Sequence, residues 1–171
     1  MQSQNEHRHL VKYLVASSIC FFIGTVHGVL QVIRPIRAWL DAIGSPYGGP
    51  GHLIDPLAHA HINVVGGVVI FVMGASYYLL PKMSGVAIYS RRLVEHSFWW
   101  TTVGIAGFYS TLMVFGILEG QALLDSVPGK VEELHHYYGM TISIVASVMG
   151  IGFWVYFANI FLTFRRMLKA T

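Results

Sequence analysis

Four long apolar stretches constrain this chain more than any other feature of its sequence. Each contains the roughly 20 apolar residues needed to cross a bilayer core about 30 Å thick. In lipid, a spanning segment must satisfy its own backbone hydrogen bonds, which an uninterrupted apolar run does as a helix. We therefore predict an all-α fold, an integral membrane four-helix bundle that forms a single transmembrane domain over residues 1–171. The predicted spans are about 11–34, 57–80, 95–118 and 135–164.

The composition agrees with this interpretation. Only 11% of the residues are charged, whereas soluble domains carry roughly 25%. None of the four apolar runs has the polar face that a buried helix of a soluble protein would need for water. The first run is too long for a signal peptide, and no small-residue cleavage site follows it, so we expect it to be retained. Cys20 lies within this span and is expected to be a small packing residue.

The basic residues are divided unequally between the two ends of the spans. Eight of the eleven lysines and arginines fall in the N-terminal tail, the connection between spans 2 and 3, and the C-terminal tail. In a four-span protein these segments share one side of the membrane, and cytoplasmic loops carry the excess of Lys and Arg. The sequence thus predicts cytoplasmic termini in a multi-pass protein of a bacterial-type inner (plasma) membrane. The formal net charge of +3 reflects these anchoring residues, so the predicted partner is membrane lipid and not nucleic acid.

The connection between spans 1 and 2 has two different halves. Its first half, PIRAWLDAIG, is predicted to be a short interfacial helix, and its second half, SPYGGPG, is a turn-rich loop. Pro56 then stands at or near the first position of span 2, where its missing N–H costs nothing. Small residues such as Gly24 and Gly28 recur inside the spans. They indicate either close helix packing or room for a flat cofactor.

The positions of the histidines are the main indication of a functional site in this sequence. Among nine histidines, five are predicted to lie at one membrane depth near the outer face. His27 is in the outer half of span 1, His59 and His61 are at the outer end of span 2, and His135 and His136 are at the outer start of span 4. Ionisable side chains within spans are rare and usually mark a site. The remaining four, which are His7, His9, His52 and His96, are expected to be solvated or to cap or snorkel.

Heme is the ligand that this cluster favours. Imidazole suits iron, copper and zinc, but a structural zinc site would usually bring cysteine or carboxylate ligands at close spacing. Heme iron takes two axial imidazoles from facing helices, and without a CxxCH motif the heme would be non-covalent: heme b, one or two per chain. At about 100° per residue, His59 and His61 point about 200° apart, so they must face different neighbours. His135 and His136, about 100° apart, must also divide their roles.

Two segments resemble a known superfamily. The run AHAHINVVGGVVIFVMGASYYLLPKMSG at residues 58–85 resembles the second span of subunit I in the heme-copper oxidase and nitric oxide reductase superfamily, the reductase branch above all. The run HHYYGMTISIVASVMG at residues 135–150 resembles the tenth span of that subunit. In the family, one histidine of each span ligates the low-spin heme near the outer face. The resemblance implies that His61 and His136 are the heme iron axial ligands.

These observations favour a membrane b-type cytochrome-like electron-transfer subunit of a respiratory complex. His59, His135 and His27 would then tune the heme site or hold a second cofactor. Its expected partners are other subunits of that complex and a cytochrome c or quinol. The chain would be an oxidoreductase subunit without its own dinuclear catalytic centre, since the family's copper or non-heme iron ligands have no counterpart here. The alternatives are a heme-free accessory or assembly subunit of such a complex and a metal-handling membrane protein.

Overall fold

The computed structural model describes residues 7–170 and is helical nearly throughout. The helices are α1 Val11–Val32, α2 Arg34–Ala42, α3 Leu53–Ser84, α4 Arg91–Leu124 and α5 Lys130–Ala170, with a single 3₁₀ turn, Arg8–Leu10, before α1. Four of them, α1, α3, α4 and α5, are long and apolar enough to cross a membrane. Residues 7–170 contain no strand. The predicted all-α class is therefore confirmed, with four helices that could span a membrane, and α4 and α5 extend beyond the predicted span limits at both ends.

Helix α3 begins irregularly, and proline explains why. Asp55 has the non-helical dihedrals φ −130° and ψ 109°, because the residue before a proline is pushed out of the helical region. Helical dihedral angles resume after Pro56, with φ −61° and ψ −45° at Ala58, close to where the sequence predicts the start of span 2. Wider π-type turns run through Leu53–Ala58 and Ile62–Val69 on either side of the two histidines of α3. Such turns are rare in helices and are frequent at functional sites.

The first three spans pack together through buried polar and aromatic side chains. The Ser17 hydroxyl donates to the Gly67 carbonyl at 2.8 Å and joins α1 to α3. The fully buried Tyr13 donates to the Val94 carbonyl at 2.7 Å and joins α1 to α4. The hydroxyl of Ser97 on α4 lies 3.0 Å from those of both Tyr13 and Tyr77. These bonds satisfy polar groups that would be costly to leave unpaired in lipid.

Helix α5 packs along α4, where small residues permit a close approach. A Cβ atom added at Gly104 would lie 2.5 Å from the Cα atom of Met149, and one added at Gly107 would lie 2.9 Å from the Val145 side chain. These contacts pair α4 and α5 as antiparallel neighbours and set their register. Most of the other faces of α5 are exposed.

The end of α5 returns to the segment between α3 and α4. The Asn159 amide donates to the Ser90 carbonyl at 3.0 Å, and the Thr163 hydroxyl accepts from the Tyr89 N–H at 2.9 Å. At the same end, Lys12 at the start of α1 forms an ion pair with Glu95 of α4. The starts of α1 and α4 and the end of α5 therefore share one end of the bundle. We call this end the basic face; it carries Arg8, Lys12, Lys82, Arg91, Arg92, Arg165, Arg166 and Lys169.

At the opposite end, Arg37 clamps the short helix α2 to the start of α3. The guanidinium donates to Asp55 at 2.6 Å, to Ser45 at 2.8 Å and to Asp41 at 2.9 Å. The hydrogen bond to Asp55, followed by the one to Asp41, raises the pKa of Arg37. Helix α2 and the turns after it match the prediction of a short helix followed by a loop.

Candidate functional site

The two histidines of α3 face opposite neighbours, as the sequence predicts. The ring of His59 lies beside α1, with its centroid 5.4 Å from that of His27 and its edge against Gly28. The ring of His61 lies beside α4, with its centroid 4.7 Å from that of Phe108. The two imidazoles therefore cannot act on one ligand from the same side of α3.

His61 has the hydrogen bond expected of a metal-ligating histidine. Its Nδ1 atom lies 2.8 Å from the Leu57 carbonyl oxygen. Because a carbonyl only accepts, Nδ1 carries the proton and the neutral ring keeps its lone pair on Nε2. Histidine ligands commonly donate their second ring N–H to a backbone carbonyl, which fixes the tautomer and the ring orientation. His61 is partly buried and lies in α3, one of the helices that could cross a membrane.

His27 belongs instead to a closed polar network. Its imidazole is buried, with 5% of its surface exposed. One ring nitrogen lies 3.2 Å from the Gln31 amide nitrogen and the other lies 3.3 Å from the Tyr109 hydroxyl. Both nitrogens thus have partners within the protein. Gln31 follows His27 by one helical turn, a spacing that could have revealed it in the sequence, whereas Tyr109 comes from α4 and carries no such signal.

His59 is less well satisfied than its neighbours. Its Nδ1 atom is buried, and no protein group bonds to it. A buried polar atom without a partner is uncommon and calls for an explanation. The cost is smallest when Nδ1 is the unprotonated nitrogen, because an orphaned acceptor is less rare than an orphaned N–H. A neutral ring protonated on Nε2 satisfies this condition.

The histidines at the start of α5 lie apart from His61. The His135 Nδ1 atom is 3.3 Å from the carboxylate of Glu119, a buried residue that the sequence analysis did not single out. His136 is exposed, and its described ring contact is with Tyr137. Within residues 7–170, no hydrogen bond or ring contact joins either one to His61.

Helix geometry shows how far apart they are. His61 packs on Phe108, whereas His135 contacts Glu119, which lies eleven residues farther along the same helix. At 1.5 Å per residue this separation is about 16 Å. The expectation that all five histidines lie at one depth is therefore wrong for His135 and His136. Helices α4 and α5 both continue past the predicted span limits, and their register carries this pair beyond the level of His61.

The residues present fit a heme only in part. His61 meets the requirement for one axial ligand, but no second imidazole faces it within the described residues. On the side of α3 opposite His61, the cavity beside His27 measures about 190 Å³, which is below the roughly 300–1,000 Å³ of typical cofactor pockets. No group of three or more histidine, cysteine, aspartate or glutamate side chains within residues 7–170 could hold a separate metal ion.

Comparison with known proteins identifies the family of this chain. Residues 6–142 match the family described as cytochrome c and quinol oxidase polypeptide I. The chain belongs to this family. The predicted resemblance to heme-copper oxidase subunit I is thus confirmed, and with it the description of the chain as an integral membrane, oxidase-related protein.

Individual relatives agree with the family assignment. The chain is 35% identical over 113 residues to cytochrome c oxidase subunit 1 of Rhodobacter capsulatus. This alignment covers 65% of the chain and 19% of that protein. It is 26% identical over 113 residues to the cbb3-type cytochrome c oxidase subunit CcoN1 of Stutzerimonas stutzeri, covering 65% and 22%. A chain of a heme-copper terminal oxidase dimer solved by cryo-electron microscopy has the same fold, with a TM-score of 0.70 at 21% identity over 90% of this chain and 26% of that one.

The matches cover a small, continuous part of the family subunit. An alignment of 163 residues with a bacteroid cytochrome c oxidase subunit 1 homolog of Bradyrhizobium diazoefficiens, at 26% identity, covers 85% of this chain but 28% of that protein. The spans of this oxidase-family chain therefore match one block of the relative. The resemblance that supports His136, in contrast, takes its histidine from a distant span of the family subunit. His136 stays a prediction that depends on that resemblance alone.

Proposed function

We propose that this oxidase-family chain is a heme-binding electron-transfer subunit of a respiratory complex, with His61 as an axial ligand of a b-type heme. The observation that carries the proposal is the 2.8 Å hydrogen bond from the His61 Nδ1 to the Leu57 carbonyl. This bond aims a neutral nitrogen lone pair away from the helix backbone. The family assignment supports the same ligand chemistry, since relatives of this chain are cytochrome c oxidase subunits.

The protein's own part in such a function is to orient and to exclude water. When bound, a bis-imidazole heme supplies one-electron exchange without a change of ligands. The Leu57 carbonyl holds the His61 ring in one tautomer, and Phe108 packs against that ring at 4.7 Å. On the other side of α3, both ring nitrogens of His27 are occupied by Gln31 and Tyr109. These groups would stabilise the site without ligating the iron.

The second axial ligand implied by the family resemblance, His136, lies apart from His61. His136 is exposed. Val145 of α5 packs against Gly107 of α4, next to Phe108, and so marks the level of His61 on α5. His136 lies nine residues before Val145, which is about 13 Å along the helix. His135 is engaged by Glu119. His61 is therefore the ligand assigned to this chain, and a separate variant tests His136.

The cellular setting follows from the sequence and is also proposed. We place the basic face in the cytoplasm of a bacterial-type plasma membrane, because Lys and Arg concentrate on the cytoplasmic side. The histidine end would then face outward, toward an electron donor such as a cytochrome c or a quinol and toward other subunits. The chain matches 18–28% of the length of these relatives. Other subunits would therefore complete the complex.

A heme-free accessory subunit is the second candidate function. It is favoured by the absence, within residues 7–170, of an imidazole facing His61, and by the complete pairing of His27 within the protein. In that case the histidines would serve as hydrogen-bonding residues at helix contacts.

Optical spectroscopy separates the two candidates. The detergent-purified protein, recorded dithionite-reduced minus oxidised, should give the sharp bands of a low-spin six-coordinate heme that carbon monoxide does not change. A pyridine hemochrome assay would give one heme or two per chain. His61→Ala should abolish heme binding, and His96→Ala, at the opposite end of the bundle, should leave the bands unchanged.

Each outcome decides one part of the proposal. A colourless but helical wild-type protein would exclude heme binding by this chain and favour the accessory function. Heme retained with an unchanged spectrum in His61→Ala would refute the ligand assignment. Loss of the bands in His136→Ala would establish the second ligand within this chain, and unchanged bands would exclude His136 as that ligand.

A further inference from the structure

A cavity at the basic face has the chemistry of a lipid-headgroup site. It measures about 210 Å³ and lies between the start of α1, the end of α3 and the start of α4. Among the described residues, the basic side chains of His7, His9 and Arg91 line it, together with apolar and aromatic groups that include Leu10 and Tyr77. The cavity is therefore basic on one part of its wall and apolar on another.

Two of these basic side chains contact other helices of the bundle, although the sequence predicts that both are solvated. The ring of His7 packs edge-on against Tyr78 of α3, with centroids 5.0 Å apart. The ring nitrogen Nδ1 of His9 lies 3.5 Å from a guanidinium nitrogen of Arg91. Since the guanidinium only donates, His9 accepts at Nδ1, and its neutral form carries the proton on Nε2. Both histidines, expected to be solvated, thus form part of a structured wall.

The electrostatic surroundings favour an anion. Glu95 is the one acidic residue at the basic face within the described residues, and it is paired with Lys12. Arg91 is the first residue of the long helix α4, whose N-terminus is the positive end of its dipole. Lys82 adds a further charge nearby, since its Nζ atom lies 5.9 Å from the ring of Tyr78 on which His7 also packs.

The depth of the cavity selects the kind of anion. Its walls come from the residues at which the three membrane-crossing helices begin or end, including Pro81 of α3. Lipid headgroups occupy this level, and basic pockets between spans on the cytoplasmic side bind anionic headgroups. We propose that this cavity binds the phosphate group of an anionic phospholipid, with the acyl chains lying along the apolar wall. The proposal does not depend on the heme function.

Native mass spectrometry of the intact chain in detergent can test the site. Dioleoyl-phosphatidylglycerol is titrated against the wild type, Arg91→Gln, Ala87→Trp and Arg92→Gln. Arg92 is the matched control, because it neighbours Arg91 and loses the same charge but does not line the cavity. Ala87→Trp fills the cavity from its exposed rim without changing the charge. A second titration uses the zwitterionic dioleoyl-phosphatidylcholine, and a third adds millimolar inorganic phosphate as a competitor.

We expect Arg91→Gln to weaken phosphatidylglycerol binding about fivefold, the effect of one basic residue near an anionic lipid. Ala87→Trp should also weaken it, whereas Arg92→Gln should not. Phosphatidylcholine should bind more weakly, and inorganic phosphate should not displace the lipid. Equal weakening by Arg92→Gln would reduce the effect to general surface charge and overturn the proposal. Equal binding of phosphatidylcholine, or full displacement by phosphate, would also overturn it.

Discussion

Adding one methyl group at Gly104 tests the helix contact on which the position of α5 depends. In the structure, a Cβ atom at residue 104 would lie 2.5 Å from the Cα atom and 2.6 Å from the backbone nitrogen of Met149. Ordinary contacts begin at 3.4 Å, so α5 must move by roughly 0.9 Å, the difference between the two distances. Because the opposing atoms belong to the backbone, no side-chain rotation can relieve the clash. Overpacking of this kind costs about 1–3 kcal/mol.

Gly150→Ala is the matched control for Gly104→Ala. A Cβ atom at residue 150 meets nothing within 4 Å, yet both glycines lie inside helices and both gain about 1 kcal/mol of helix propensity on substitution. The propensity gain cancels in the comparison, so Gly104→Ala should be less stable than Gly150→Ala by about 1–3 kcal/mol. The measurement is unfolding by added dodecyl sulfate in detergent micelles, followed by far-UV circular dichroism. Equal stability of the two variants would refute the close contact of α4 with α5.

Three further substitutions test other contacts. Arg37→Gln should lower the free energy of unfolding by about 1–2 kcal/mol, since the charged bond to Asp55 is partly exposed; unchanged micelle unfolding would contradict the clamp. Tyr13→Phe should cost about 1 kcal/mol, because its buried hydroxyl donates to the backbone of α4, and unfolding at the wild-type detergent concentration would argue against this bond. Gly28→Leu should displace the His59 ring, because a Cβ atom at residue 28 would lie 2.7 Å from it. The heme bands should stay unaltered, and altered bands would make His59 the ligand.

The parts of the fold that depend on local patterns could be predicted from the sequence. The four spans follow from apolar runs long enough for a bilayer. The short helix α2 and the turns after it follow from the local sequence, whereas the irregular turn that α3 forms before Pro56 was not predicted. The opposite directions of His59 and His61 follow from helix geometry, and their contacts with α1 and α4 confirm this prediction.

The relative depth of residues on different helices could not be predicted in the same way. The sequence shows where an apolar run ends, but not that α4 continues to Leu124 and that α5 begins at Lys130. The register between them is set by close contacts such as that of Gly104 with Met149, which involve residues about 45 positions apart. Aligning histidines by their distance from the ends of apolar runs therefore placed His135 too deep.

The glycines of α1 bear on how much of a heme site this chain provides. The sequence left two interpretations of Gly24 and Gly28, close packing or space for a flat cofactor. In the structure both positions are filled, Gly24 by the Asn63 side chain and Gly28 by the His59 ring. The side of α3 that faces α1 is therefore closed by packing. A heme bound through α3 would have to use the other side, where the Leu57 carbonyl fixes the tautomer of His61. His61, and not His59, would therefore ligate the iron.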